Sequence, residues 1–273
     1  MKKVLLLIGL FCTTLFAAQV SNIQVKSPSM GKEIEVAVML PDSYASDTQA
    51  RYPVIYFLDG AGGNGVRLFN TNDTRHLSKV FKQCDELKII MVVAGCVDKW
   101  YFDSPVDSKV RWQQFLTKEL IGYMDANYHT VAAREGRAIT GLSMGGHGAF
   151  FTAFTNPELF IAAGSTSGGV DFREFPKNWG LPGVLGTIEA HPENWDKGVV
   201  VNNLSKLPKA DLAIYFDCGS SDFFLPCNRS LAEQLARMKV KYTYLESPGG
   251  HSHPYWCEHF PMQVEFFNKH LKH

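Results

Sequence analysis

The sequence predicts an α/β protein: a mainly parallel, eight-stranded sheet with helices on both faces. Three observations carry this. Extended runs rich in β-branched and aromatic residues alternate with helical patterns along the chain. Two of the runs, Val54-Ile55-Tyr56-Phe57-Leu58 and Ile89-Ile90-Met91-Val92-Val93, are apolar at every position, as strands covered on each side must be. A chain of 273 residues, 45% apolar and 20% charged, can also bury a full core without disulfide or metal staples.

The N-terminus stands apart. Met1-Lys2-Lys3 gives a positive start, Val4 to Phe11 an apolar run, and Ala17-Ala18 a small-residue cleavage site. Residues 1 to 18 therefore read as a secretory signal, leaving 19 to 273 as one domain, exported to a periplasm or beyond. Phe11 before Cys12 does not suit lipoprotein processing. Beyond this segment no run approaches the roughly 18 apolar residues of a membrane span. Lys plus Arg equals Asp plus Glu at 27 each, a balance that argues against a nucleic-acid partner.

Strands are expected near 21–26, 32–40, 53–58, 88–95, 137–141, 161–166, 211–217 and 240–246. The second shows period-two alternation in Glu33-Ile34-Glu35-Val36-Ala37-Val38. Helices fit 110–128, 144–155, 228–239 and 257–270. In the first, Trp112, Phe115, Leu116, Leu120, Tyr123 and Met124 recur on one face. Residues 171 to about 209, with Pro176, Trp179, Gly180, Pro182, Pro192 and Trp195, break the alternation and read as an irregular insertion of the lid or binding-loop kind. Cys84, Cys96, Cys218, Cys227 and Cys257 show no Cys-x-x-Cys spacing and read mostly as buried apolar fillers. Cys218 and Cys227 are near enough in sequence to bridge.

The sharpest chemical signal is Gly141-Leu142-Ser143-Met144-Gly145, directly after one predicted strand and before a predicted helix. Gly-x-Ser-x-Gly in that context is a nucleophile elbow: the serine occupies a strained turn, and a side chain at either glycine would collide with the neighbouring strand or helix. A serine hydroxyl needs a base, and in this arrangement an acid and then a histidine follow in the chain. His251, straight after the last predicted strand and the turn Ser247-Pro248-Gly249-Gly250, is the candidate base, with His253 the alternative. Asp222, in the loop past Gly219, is the candidate acid. Asp217, at the end of its strand, is expected instead to organise the loop through backbone N–H groups.

Two N–H donors must meet the developing oxyanion: that of Met144, following the serine, and one from the glycine-rich Asp59-Gly60-Ala61-Gly62-Gly63-Asn64-Gly65 loop. Ala61 is the choice there and Gly62 the alternative. No Gly-Lys-Ser/Thr follows this loop, so a nucleotide site is not expected. Trp100, Tyr101, Phe102, Trp179, Trp195, Phe223 and Trp256 are candidates to line a pocket for an aromatic acyl group or a sugar, the loop-borne Trp100, Trp179 and Trp195 foremost. No cofactor or metal is called for.

With Tyr52-Pro53-Val54-Ile55-Tyr56-Phe57-Leu58-Asp59-Gly60, Gly141-Leu142-Ser143-Met144-Gly145-Gly146-His147-Gly148, Asn156-Pro157-Glu158-Leu159-Phe160 and Gly249-Gly250-His251, the chain resembles the esterase family of α/β hydrolases. That family includes esterase D type S-formylglutathione hydrolases, bacterial feruloyl and acetylxylan esterases, and mycolyltransferases. The resemblance spans residues 20 to 270. It implies an α/β-hydrolase fold, Ser143, Asp222 and His251 as a triad, and Met144 with Ala61 as oxyanion donors. Two departures stand out: Asp59-Gly60 where many members have His-Gly, a variant shared with the mycolyltransferase branch, and His253 where many have tryptophan.

The expected function is that of a secreted serine carboxylesterase, a feruloyl esterase acting on plant hemicellulose. Its substrate is a small-molecule or oligosaccharide ester. The alternatives are an acetylxylan or short-chain acyl esterase, an S-formylglutathione hydrolase-like thioesterase, an acyltransferase, and a non-catalytic carbohydrate-binding scaffold.

Overall fold

The computed structural model describes residues 19–69 and 77–273. The predicted signal segment lies outside the described residues. Strands β1 (Gln19–Ser27), β2 (Lys32–Leu40), β3 (Val54–Leu58), β4 (Ile90–Ala94), β5 (Arg137–Gly141), β6 (Ala162–Thr166), β7 (Ala213–Gly219) and β8 (Thr243–Ser247) form one sheet in the order β1-β2-β4-β3-β5-β6-β7-β8. β2 runs antiparallel to β1 and β4, and every other neighbouring pair is parallel. This is the α/β-hydrolase fold that the sequence implied.

The central strands behave as their composition requires. In β3, Val54, Tyr56 and Leu58 pack into the core on one face of the sheet, and Ile55 and Phe57 into the core on the other. In β2 the alternation of exposed Glu33 and Glu35 with buried Ile34 and Val36 stops at Ala37, and Ala37, Val38 and Met39 are all buried. Helices α1 (Ser78–Glu86) and α8 (His253–Asn268) cover the face that holds Phe57. The other face carries α2 (Trp112–Gln114), α3 (Ile121–Asn127), α4 (Met144–Thr155) and α7 (Leu225–Arg237). No helix among the described residues is long and apolar enough to cross a membrane.

Several expectations are corrected. The helix read over 110–128 is interrupted by a π-helical stretch, Phe115–Leu120, between α2 and α3. Helix α1 is not among the expected helices: its one-sided pattern buries Val80, Phe81 and Cys84, but those are three residues in an otherwise polar nine-residue stretch, too short and too polar to stand out in the sequence. Helix α8 begins at His253, four residues before the expected start, and continues through Pro261.

The insertion is not an irregular flap. It contains α5 (Leu181–Leu185) and α6 (Pro192–Gly198), and Leu181, Val184, Trp195, Val199 and Val200 are completely buried in the main core. All five described cysteines are free thiols, so Cys218 and Cys227 do not bridge.

Candidate active site

The elbow is built as steric logic demands. Ser143, between β5 and α4, has φ 55° and ψ −116°, a region that a non-glycine residue occupies at a cost of about 1 to 3 kcal/mol. Its N–H donates to Thr166 O (2.9 Å), while its carbonyl accepts from His147 N (3.1 Å) and Gly169 N (3.2 Å). A Cβ added at Gly145 would lie 1.9 Å from Leu58 O, and one at Gly141 would lie 2.5 Å from Gly145 O and Leu58 O. Only glycine lets α4 approach β3 this closely.

A proton path leads away from the hydroxyl. Ser143 Oγ lies 2.8 Å from His251 Nε2, and His251 Nδ1 lies 2.9 and 3.1 Å from the two carboxylate oxygens of Asp222. Asp222 must accept at Nδ1–H, so Nε2 is left to accept from the hydroxyl. The acid is itself anchored: its Oδ1 also accepts from Phe224 N (2.8 Å), and its side chain is fully buried. Phe223, Phe224 and Trp256 surround the imidazole, with ring centroids 4.3, 5.6 and 5.0 Å away. The alternative base, His253, sits instead at the start of α8 against Trp256.

Asp217 takes a different part from the expected one. Its Oδ2 accepts from the side chains of Thr166 (3.0 Å) and Gln263 (2.8 Å) rather than from loop amides. Gln263 Nε2 also donates to Thr166 Oγ1 (2.6 Å), and its Oε1 accepts from Thr140 Oγ1 (2.6 Å), tying α8 to β5, β6 and β7 beneath the elbow. Burial pushes the Asp217 carboxyl well above the ordinary carboxylate range.

The glycine-rich loop after β3 hangs on Asp59. This buried carboxylate accepts from Gly60 N (2.7 Å) and Gly65 N (3.2 Å), and Arg67 grips it in bidentate fashion through Nε and Nη2 (both 2.9 Å). Tyr101 Oη donates to Asp59 O at 2.7 Å. The two candidate donors in this loop are not equivalent. Gly62 N–H is already engaged with Val97 O (3.1 Å) and Asp98 Oδ1 (3.0 Å). Ala61 is left as the residue whose amide carries no such bond. The loop lies over the serine: a Cβ on Gly60 would sit 3.5 Å from Ser143 Cβ.

The four tryptophans divide. Trp100 and Trp195 are 1% and 0% exposed, and Tyr101 and Phe102 are buried with them, so these side chains belong to the core and present no wall to a ligand: segments rich in turn residues fold here against the core instead of lying over the surface. Trp256 is also buried and props His251 edge-on. Trp179 alone is half-buried at the surface, in the same aromatic group as Phe223. Sequence reasoning did not find Asp98, Arg67 or Gln263, whose parts depend on pairings 36, 8 and 46 to 123 residues apart. An arginine soon after a glycine loop containing an aspartate was the one available hint.

Known proteins share this arrangement of chain. The sequence is 29% identical over 257 residues to Esterase Rv1288 of Mycobacterium tuberculosis, covering 83% of this chain and 54% of that one. It is 33% identical over 162 residues to the diacylglycerol acyltransferase/mycolyltransferase Ag85A of Mycobacterium bovis, covering 56% of this chain and 44% of the relative. The chain thus spans about half the length of the curated relatives it matches. A solved ferulic acid esterase superposes with a TM-score of 0.78 at 24% identity, covering 94% of this chain and all of the other. An S-formylglutathione hydrolase from Agrobacterium tumefaciens gives 0.76 at 19%, covering 95% and 98%. At these identities the structural likeness establishes the fold alone. The family model described as Putative esterase matches residues 27–267, and the chain belongs to that esterase family.

Proposed function

We propose that the protein is an exported serine carboxylesterase in which Ser143 is the nucleophile, His251 the general base and acid, and Asp222 the residue that orients the imidazole. One observation carries the reading: the unbroken chain from Ser143 Oγ to His251 Nε2 at 2.8 Å and from His251 Nδ1 to Asp222 at 2.9 Å. As Oγ attacks the ester carbonyl, Nε2 takes its proton, and the carboxylate stabilises the imidazolium that forms. The carbonyl oxygen, now negative, is met by the N–H groups of Met144, at the N-terminus of α4, and Ala61. The C–O bond to the alcohol breaks as Nε2 returns the proton to the departing oxygen. Water then attacks the acyl-enzyme through the same base and frees Ser143.

Hydroxycinnamoyl esters of plant hemicellulose are the proposed substrates. An exposed aromatic group beside His251 and the fold shared with a ferulic acid esterase support this choice. Acyl transfer to an alcohol in place of water is the second reading. It is favoured by the Asp59-Gly60 sequence and by the likeness to a mycolyltransferase over 162 residues.

The test compares methyl ferulate, an acetylated xylo-oligosaccharide and a short nitrophenyl ester with wild type and Ser143→Ala, with and without an added alcohol acceptor. Hydrolysis of all three is expected to vanish in the variant, and a fluorophosphonate to label only the wild type. Retained activity in Ser143→Ala would sink the mechanism. Ferulate ranking last would sink the substrate assignment, and ester product outpacing acid would move the protein to the transferases.

A further inference from the structure

Phe223 is 44% exposed, the one Phe, Tyr or Trp ring so open among the described side chains, and it follows the proposed acid Asp222 directly. Its centroid is 4.3 Å from the His251 ring. It is not a loose side chain. Trp179 stacks nearly parallel to it at 5.9 Å and 16°, and Phe175 and Phe224 pack at 5.7 and 4.7 Å. Trp179 is fixed in turn: its carbonyl accepts from the buried Trp100 indole (3.0 Å), its own φ is 48°, and a Cβ on the next residue, Gly180, would lie 2.7 Å from Asp98 O. An apolar surface is thus held rigid and open to solvent beside the imidazole.

Which half of an ester lies there follows from the proton. On the proposed function, His251 Nε2 must hand its proton to the departing alcohol oxygen, which places that oxygen within hydrogen-bond reach of Nε2. The carbonyl oxygen is drawn the other way, toward the Ala61 loop and the start of α4. The group carried by the alcohol therefore passes over the imidazole side of the site, where Phe223 and Trp179 stand. The rings are fringed by exposed polar residues, Ser220 and Ser221 before Phe223 and Lys177 and Asn178 before Trp179. A flat apolar surface with a polar fringe complements a sugar ring, apolar across its C–H face and hydroxylated around its edge.

We propose that Phe223 and Trp179 form a platform for the sugar on the alcohol side of the scissile bond, and that they select for carbohydrate esters independently of the acyl group. This rests on the serine mechanism above.

Two substrate pairs separate the halves of the ester. A feruloylated arabinoxylo-oligosaccharide against methyl ferulate varies the alcohol at constant acyl group; methyl ferulate against methyl acetate varies the acyl group at constant alcohol. Wild type should prefer the sugar ester. In Phe223→Ala the kcat/KM ratio within the first pair is expected to fall about ten-fold, while the ratio within the second stays within about two-fold. Phe223→Leu, which keeps apolar bulk without a flat ring, should reproduce the effect. A change in the second ratio instead would place the acyl group on the platform and overturn the proposal. So would an equal loss on all substrates, which would make Phe223 a prop for His251. Hydrolysis surviving in Ser143→Ala would instead strike the underlying mechanism.

Discussion

Two imidazoles in this molecule sit among aromatic rings, and a single partner separates what each can do. His251 lies among Phe223, Phe224 and Trp256; His147, four residues beyond Ser143 in α4, lies among Trp100, Phe102, Phe151 and Phe172. His251 has a carboxylate on one nitrogen and a hydroxyl on the other, and it stays partly open to solvent. His147 is completely buried and donates from Nε2 to Gly198 O at 2.8 Å, while its Nδ1 meets no polar atom. Burial with no anion in direct contact holds His147 down from an ordinary 6.5 to about 4. The first ring can pass a proton. The second is a neutral strut that ties the elbow helix to the end of α6 in the insertion.

The largest effect should come from removing the carboxylate that sets His251 apart. Asp222→Asn is expected to cut kcat about ten-thousand-fold, roughly 5 kcal/mol of barrier, because an amide cannot hold the tautomer with Nε2 free to accept. Single-turnover kinetics with a chromogenic ester would check it, and a loss under about ten-fold would show the pair to be ornamental.

The buried carboxylates extend the contrast. Asp222 faces the imidazole of His251, whereas Asp59 faces the guanidinium of Arg67, which never releases its proton. Arg67→Met should therefore act on stability, lowering it by about 3 to 5 kcal/mol in urea unfolding, since it strands a buried charge.

His147 supplies a pH signature. A group with a depressed pKa in the folded state stabilises above its unfolded value and loses that contribution as pH falls toward the folded value. From pH 6.5 to about 4, wild type should lose up to about 3 kcal/mol that His147→Phe does not lose. Asp217, raised by burial, works in the opposite sense, stabilising at low pH and ceasing to as pH rises. It is present in both proteins, so the difference between their urea midpoints across that range isolates the imidazole; parallel curves would refute the assignment.

The smallest effect is expected at Asp98, whose carboxylate occupies Gly62 N–H. Asp98→Ala should loosen the loop that presents Ala61 and reduce kcat about ten-fold at unchanged KM.

Much of this was legible because it is local. A strand of five apolar residues, two glycines flanking a serine, and a glycine turn before a histidine each encode their conformation within a few positions. The different surroundings of Asp217 and Asp222 are also local in origin: one residue lies within β7 and bonds to Thr166 and Gln263, and the other lies past the turn and meets His251. What escaped depends on contacts between distant segments. Trp100 and Trp195 sit in segments rich in turn residues and are nonetheless sealed, because α5 and α6 fold the insertion against the same core as α4. Helix α1 is held by contacts with α8, Gln83 reaching Pro261 178 residues on, and its own stretch is short and mostly polar despite the one-sided placing of Val80, Phe81 and Cys84.

The sealed insertion also constrains how such a scaffold can diversify. A surface flap can be lengthened, shortened or exchanged between homologues with small consequence for folding. Here the same residues that carry Trp179 to the mouth bring Trp195, Val199 and Val200 into the interior, so cutting or grafting the segment would hollow out the fold. On the proposed platform, changes in substrate preference would then fall to point substitution on a fixed backbone, one side chain at a time.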